Sequence, residues 1–147
     1  MASDLGKDPG ALSRSLAGLK GKAEAIARAD SRTIRAAGLE LERAIKLELS
    51  KPGSGELYTH GKVTHQASAP GEPPAPDTGA LRNSVGQEVV GNALRIGVGM
   101  PYAPFLEFGT IGEGGFIAPR PFMRPALAAA RERMTGVVVS EVRKGMP

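Results

Sequence analysis

Val85-Gly-Gln-Glu-Val-Val-Gly-Asn-Ala-Leu-Arg-Ile-Gly-Val-Gly99 is the stretch that separates this chain from an all-helical protein. Gly91-Asn92 sits at its middle and suits a primed two-residue turn, which predicts a hairpin of strands over Val85–Val90 and Ala93–Gly99. Leu94, Ile96 and Val98 alternate onto one face with Arg95 opposite, the period of a half-buried strand. Sequence with helical periodicity lies on both sides of this hairpin, so the fold class is α+β.

Upstream, residues 9–50 read as helix. Leu12, Leu16, Leu19, Ala23 and Ile26 step by three and four, and Ile34, Ala37, Leu41, Ile45 and Leu49 continue the spacing. Asp8 before Pro9 predicts an N-cap with a first-turn proline, and Lys51-Pro52-Gly53 predicts the stop. Unbroken, residues 12–50 would extend about 58 Å, longer than a small domain is wide. Either the helix bends near Gly18 and Gly21 or part of it projects; Asp30-Ser31-Arg32-Thr33, where the apolar seam turns polar, is a second place for a break.

Between helix and hairpin, residues 53–84 have no long apolar period. Ala69-Pro-Gly-Glu-Pro-Pro-Ala-Pro76 carries four prolines, which stiffen the chain toward extended conformation. The expectation is an extended Pro/Gly-rich arm at about 53–76 that is functional or ordered on assembly. Asp77-Thr78-Gly79 then offers caps for a turn of helix through Leu81 to Ser84.

Downstream, Pro101–Gly109 reads as a short helical or irregular element ending in glycine. Gly112–Gly115 reads as a flexible tip, and Phe116-Ile117-Ala118 as a third strand. A final helix is predicted to about Lys144, with Met123, Leu127, Ala130, Met134 and Val137 as its apolar stripe, widened by Val138 and Val142. Pro121 and Pro125 are tolerable at or near its first turn, where N–H groups have no intrahelical partner. The whole is one domain, residues 1–147. It has a long N-terminal helix, a small antiparallel sheet of about three strands, and a C-terminal helix packed on that sheet.

Composition narrows the function classes. A length of 147 residues with 41% apolar content suits one domain with a real core. The absence of cysteine excludes a disulfide framework, a thiol nucleophile and cysteine-based metal centres. The net charge of +4 is scattered rather than gathered into a basic stripe. Met1–Asp8 lacks the cationic head and apolar run of a secretory signal, and no stretch approaches the ~20 apolar residues of a membrane span. A soluble chain made inside the cell, with no membrane partner, is expected.

Catalytic groups are sparse. His60 and His65 lie in a polar segment with Glu72 and Asp77 downstream, short of the convergent set a metal needs. Ser68, His65 and Asp77 make a triad only on paper, without a nucleophile-elbow signature. Glu107, between Phe105 and Phe108, reads as a paired charge near Arg120 or Arg124 that fixes one segment against another. The glycine-rich stretches lack the features of phosphate loops. No catalytic residue, cofactor or metal is expected. Arg28, Arg32 and Arg35 form a modest basic face, which supports one alternative, a small basic DNA-binding protein.

Three segments in register carry a resemblance. Ser68-Ala-Pro-Gly-Glu-Pro-Pro-Ala-Pro-Asp-Thr-Gly-Ala-Leu-Arg-Asn-Ser84 resembles the proline-rich loop and D-T-G-x-L-R-x-S element of a phage head–tail joining family, the neck or tail-completion proteins of long-tailed, non-contractile phages. Tyr102-Ala-Pro-Phe-Leu-Glu-Phe-Gly-Thr110 and Ala118-Pro-Arg-Pro-Phe-Met-Arg-Pro-Ala126 resemble its Y-A-x-x-x-E-x-G-T and R-P-F-x-x-P-A signatures. The resemblance spans residues 10–142; Ile111–Gly115 looks like an insertion, since the family's element there is often shorter.

It implies a non-enzymatic virion protein at the head–tail joint, present in the host cytoplasm during assembly. Its partners would be copies of itself in a hexameric ring, the head-completion or adaptor ring, and tail terminator or tail tube proteins. Packaged DNA would meet it only while passing through the channel. The motif residues expected to form a structural lock are Asp77, Thr78, Gly79, Leu81, Tyr102, Phe105, Glu107, Phe108, Gly109, Arg120, Pro121, Phe122 and Pro125. Tyr58, His60, Pro70, Pro73, Pro74, Gly114 and Phe116 are candidate contacts with neighbouring subunits or other partners.

Overall fold

A computed structural model describes the backbone of residues 9–112 and 115–145, and side chains at 17, 18, 20, 21, 30–112 and 115–144. Helix α1 (Pro9–Glu48) is a single helix of 40 residues, about 60 Å long. It runs through Gly18, Gly21 and the polar 30–33 stretch without a break. Asp8 lies outside the described residues, as do the side chains of Leu12, Leu16, Leu19, Ala23, Ile26 and Arg28. Among the described residues of α1, the buried ones are Thr33, Ala37, Leu41, Ala44 and Ile45, with Leu49 just after its end, the spacing of one helical face. Ala17, Gly18, Lys20, Gly21, Asp30, Ser31 and Arg32 are all exposed. The helix closes before Pro52, with the Leu49, Ser50 and Lys51 N–H groups bonded back to Ile45, Leu47 and Glu48.

Helix α4 (Met123–Gly145) packs chiefly along α1. Ala126 and Ala130 are fully buried and share one core with Leu41, Ala44, Ile45, Leu49 and Phe122. Arg133 Nε meets Glu40 Oε2 at 3.5 Å along the same seam. Facing alanines allow the close approach, so α4 turns its small residues inward; Leu127, expected inside, is 49% exposed. Phe122 and Ile45 are the largest fully buried side chains among the described residues, each contributing about 1.5–3 kcal/mol.

The hairpin forms as expected, with β3 (Val85–Val90) antiparallel to β4 (Ala93–Val98), Val85 opposite Val98 and Val90 opposite Ala93. Gly91 has φ 59° and no described non-glycine residue has positive φ, which is the signature of a II′-type turn. Leu94, Ile96 and Val98 are half-buried between exposed neighbours. The ribbon lies on α1 at Gly38, where a Cβ would fall on Gln87 Oε1 and within 2.7 Å of Leu94 Cδ1.

The class is α+β, but among the described residues the strands are divided among three separate two-stranded antiparallel ribbons. β5 (Thr110–Gly112) pairs with β6 (Gly115–Ile117) and not with β3–β4, so the third predicted strand belongs to a ribbon of its own. Glu113 and Gly114 of the predicted tip lie outside the described residues. β1 (Leu57–His60) and β2 (Val63–Gln66) form a hairpin inside the segment expected to be an arm. Two short helices, α2 (Ala80–Asn83) and α3 (Ala103–Phe108), complete the set.

Candidate functional site

The site is built around Glu107. Helix α3 has Pro104 in its first turn and stops at Gly109, whose φ of 72° is accessible to glycine and strained for other residues. A Cβ there would stand 2.6 Å from the Ile117 carbonyl oxygen, so the same glycine lets β6 return close beside α3. The Arg120 N–H donates to Leu106 O at 2.6 Å, which brings residues 118–122 alongside the helix and the start of α4 against Glu107.

Glu107 is buried, and its carboxylate takes the free donors of that helix end. The Phe122 and Met123 N–H groups donate to Oε2 at 2.7 and 3.0 Å, and the Arg124 N–H donates to Oε1 at 3.3 Å. Pro125 has no N–H, and the Ala126 N–H bonds to Phe122 O at 3.3 Å. Every orphan donor at the α4 N-terminus is thereby satisfied. Arg124 Nε adds a contact to Oε1 at 3.4 Å, and its guanidinium lies 5.6 Å from the Phe108 ring centre. Burial pushes the Glu107 carboxyl pKa up, but the backbone bonds from Phe122, Met123 and Arg124 and the Arg124 side chain outweigh it, and the pKa lies below the usual carboxylate value. A negative charge at a helix N-terminus is also favoured by the helix dipole.

A second carboxylate, Glu72, ties down the strap that follows α1. It accepts the Ser54 hydroxyl and N–H at 2.5 and 3.0 Å and the Ala69 N–H at 2.9 Å, which hold its pKa below the usual value. The Gly55 N–H to Ala67 O bond and the Ala67 N–H to Glu56 O bond extend the β1–β2 hairpin to its base. The Gly71 N–H donates to Pro119 O at 2.9 Å. The 53–76 segment is therefore a folded strap rather than an extended arm. Pro74 is buried within the subunit, which removes it from the candidate contacts; Pro73 is half-buried and Pro70 exposed.

The D-T-G element joins the strap to the body. Asp77 Oδ1 lies 3.4 Å from His65 Nε2, and the His65 ring stacks on Tyr58 at 5.6 Å. The predicted side-chain cap of α2 is replaced by Gly79, with φ 77°; Thr78 Oγ1 accepts the Ala80 N–H at 3.3 Å. Leu81 packs against the core. Asp77–Arg82 then lines an open cleft of about 360 Å³ together with Tyr58, Pro74, Tyr102, Leu106 and Arg120. Parts of all three motif segments thus converge on one place.

Other expected lock residues divide. Phe122 is in the core, and Pro121 and Pro125 are half-buried around the start of α4. Tyr102, Phe105 and Phe108 are instead exposed, because α3 turns only Ala103 and Glu107 fully inward. Among the candidate contacts, Tyr58 and His60 are exposed on β1, Phe116 is 71% exposed on β6 opposite Ile111, and Gly114 lies outside the described residues. Arg32 and Arg35 are exposed on α1. Among the described residues, no three of His, Cys, Asp and Glu converge as a metal set, and no helix is long and apolar enough to cross a membrane. The Glu72–Ser54 clasp has no periodic signal in the sequence; a carboxylate inside a proline-rich turn, with serine between two glycines upstream, is its only trace.

The chain matches no protein-family model, no curated protein and no solved structure.

Proposed function

We propose that this chain is a structural protein of a phage neck, joining the DNA-filled head to the tail as a hexameric ring around the DNA channel. The observation that carries the reading is the Glu107 joint. The glutamate of the Y-A-x-x-x-E-x-G-T segment takes the backbone donors of the R-P-F-x-x-P-A segment, while the D-T-G element meets both at the cleft. The signature residues at this joint thus have a fixing role, as suits a part that must hold its shape under load. A ring also needs two different surfaces on each subunit. Exposed Leu57, Tyr58 and Val63 on one ribbon and Ile111 and Phe116 on another offer apolar material for such contacts.

Copies of the chain, the head-completion or adaptor ring, and the tail terminator or tube would be its partners, with DNA passing through. Immunogold electron microscopy of the parent phage tests the reading. Label at the head–tail junction is the expected result. Virions that carry no label, in a host where the protein instead co-purifies with duplex DNA, would replace it with the DNA-binding alternative.

A further inference from the structure

The cleft beside α3 holds a guanidinium that no carboxylate among the described residues pairs with directly. Arg120 lines it, with its main chain fixed by the bond to Leu106 O, and its Nε is buried with no acceptor among those residues. Glu107, the acid of the adjoining segment, is committed to the start of α4. Asp77, the one acid among the described residues lining the cleft, faces His65. A second guanidinium, Arg82, lines the same cleft and makes only a long contact, 3.4 Å, to Ser50 Oγ. Withdrawing part of a guanidinium from water without an acceptor is unfavourable unless an anion arrives to offset it.

We propose that this cleft is a receptor for a carboxylate side chain presented by another protein chain, with Arg120 as its principal ligand and Arg82 as its second. The planar guanidinium fork matches a carboxylate in two-point geometry. The neighbouring wall is apolar, from Leu49, Leu81 and Leu106, so the acidic residue it takes is flanked by apolar residues. The volume of about 360 Å³ suits a side chain with its immediate neighbours and is too small for a duplex. Asp77 at the cleft also disfavours a polyanion, which sets a nucleic-acid backbone below a peptide. The inference stands on the cleft and does not rest on the neck reading.

Nitrogen-15 NMR of the arginine Nε–H groups in the full chain tests it, with Arg120→Lys identifying the Arg120 signal by its loss. The probes are a capped Leu-Glu-Leu tripeptide, its Leu-Gln-Leu counterpart and inorganic phosphate. The glutamate peptide is expected to shift the Arg120 signal saturably at millimolar concentration, and the glutamine peptide to bind roughly tenfold more weakly or less. Arg82→Gln, a change at an exposed side chain, should weaken the glutamate peptide without unfolding the protein. Equal binding of both peptides, a phosphate response as strong as that of the glutamate peptide, or no shift at all would each overturn the proposal.

Discussion

Glu107 is buried and accepts three backbone N–H groups at the start of α4. A surface ion pair is worth little, but a buried carboxylate that satisfies three backbone donors leaves all three unpaired when it is removed. Glu107→Ala should therefore cost about 2–4 kcal/mol, read as a lower Tm in thermal unfolding. Unchanged stability combined with lost assembly would move the residue to a subunit interface instead. The pH dependence follows from the lowered pKa. Because the folded-state value lies below the unfolded one, the contribution is complete above the ordinary carboxylate range and is lost as pH falls through that range and below it. Glu107→Gln should remove this share of the acid loss, so wild type and variant converge in stability on acidification. A constant gap between them down to strongly acidic pH would contradict the assignment.

Helix α1 and the strap make separate predictions. Gly18 and Gly21 sit in the N-terminal half of α1 with open space where a Cβ would stand. Alanine at each should raise helix stability by about 0.5–1 kcal/mol, visible as increased helicity in far-UV circular dichroism. Lower helicity would mean that another surface already occupies that space. In the strap, Glu72→Ala should speed hydrogen exchange at the Gly55 and Ala67 amides, which close the base of the β1–β2 hairpin, and leave the amides of α4 unaffected. Equal protection in both proteins would show that the hairpin stands without its clasp. The β3–β4 hairpin was legible because one of its faces is half-buried and its residues alternate accordingly. The β1–β2 hairpin was not, because every residue but His65 is exposed and no alternation is imposed on Leu57–His60 or Val63–Gln66. Its remaining trace was local: Tyr58, Thr59, Val63 and Thr64 on either side of Gly61-Lys62. The stripe of α4 holds at Met123, Ala130 and Met134, which lie in or against the core, and departs at Leu127, which is exposed while its neighbour Ala126 is fully buried.

The described molecule is a helical pair, α1 with α4, that carries three small ribbons, with Glu107 and Glu72 each fastening an irregular segment. Its largest exposed apolar side chains lie on the ribbons, on α3, at the outer face of α4 and along α1, at positions such as Phe105, Phe108, Ile111 and Leu127. Singly exposed apolar residues are ordinary; several on slender projections suit surfaces that are covered on assembly. The overall class followed from the periodicities at 9–50, 85–99 and 123–144. The Glu107 joint was half legible, as a paired charge near Arg120 or Arg124. That its main partners are backbone N–H groups could not be read, since main-chain donors leave no mark on residue identity. The proposed place at the head–tail joint is best tested by disrupting the gene in its parent phage and imaging the lysate by electron microscopy. DNA-filled heads beside separate, finished tails are predicted, and normal infectious particles would contradict the claim.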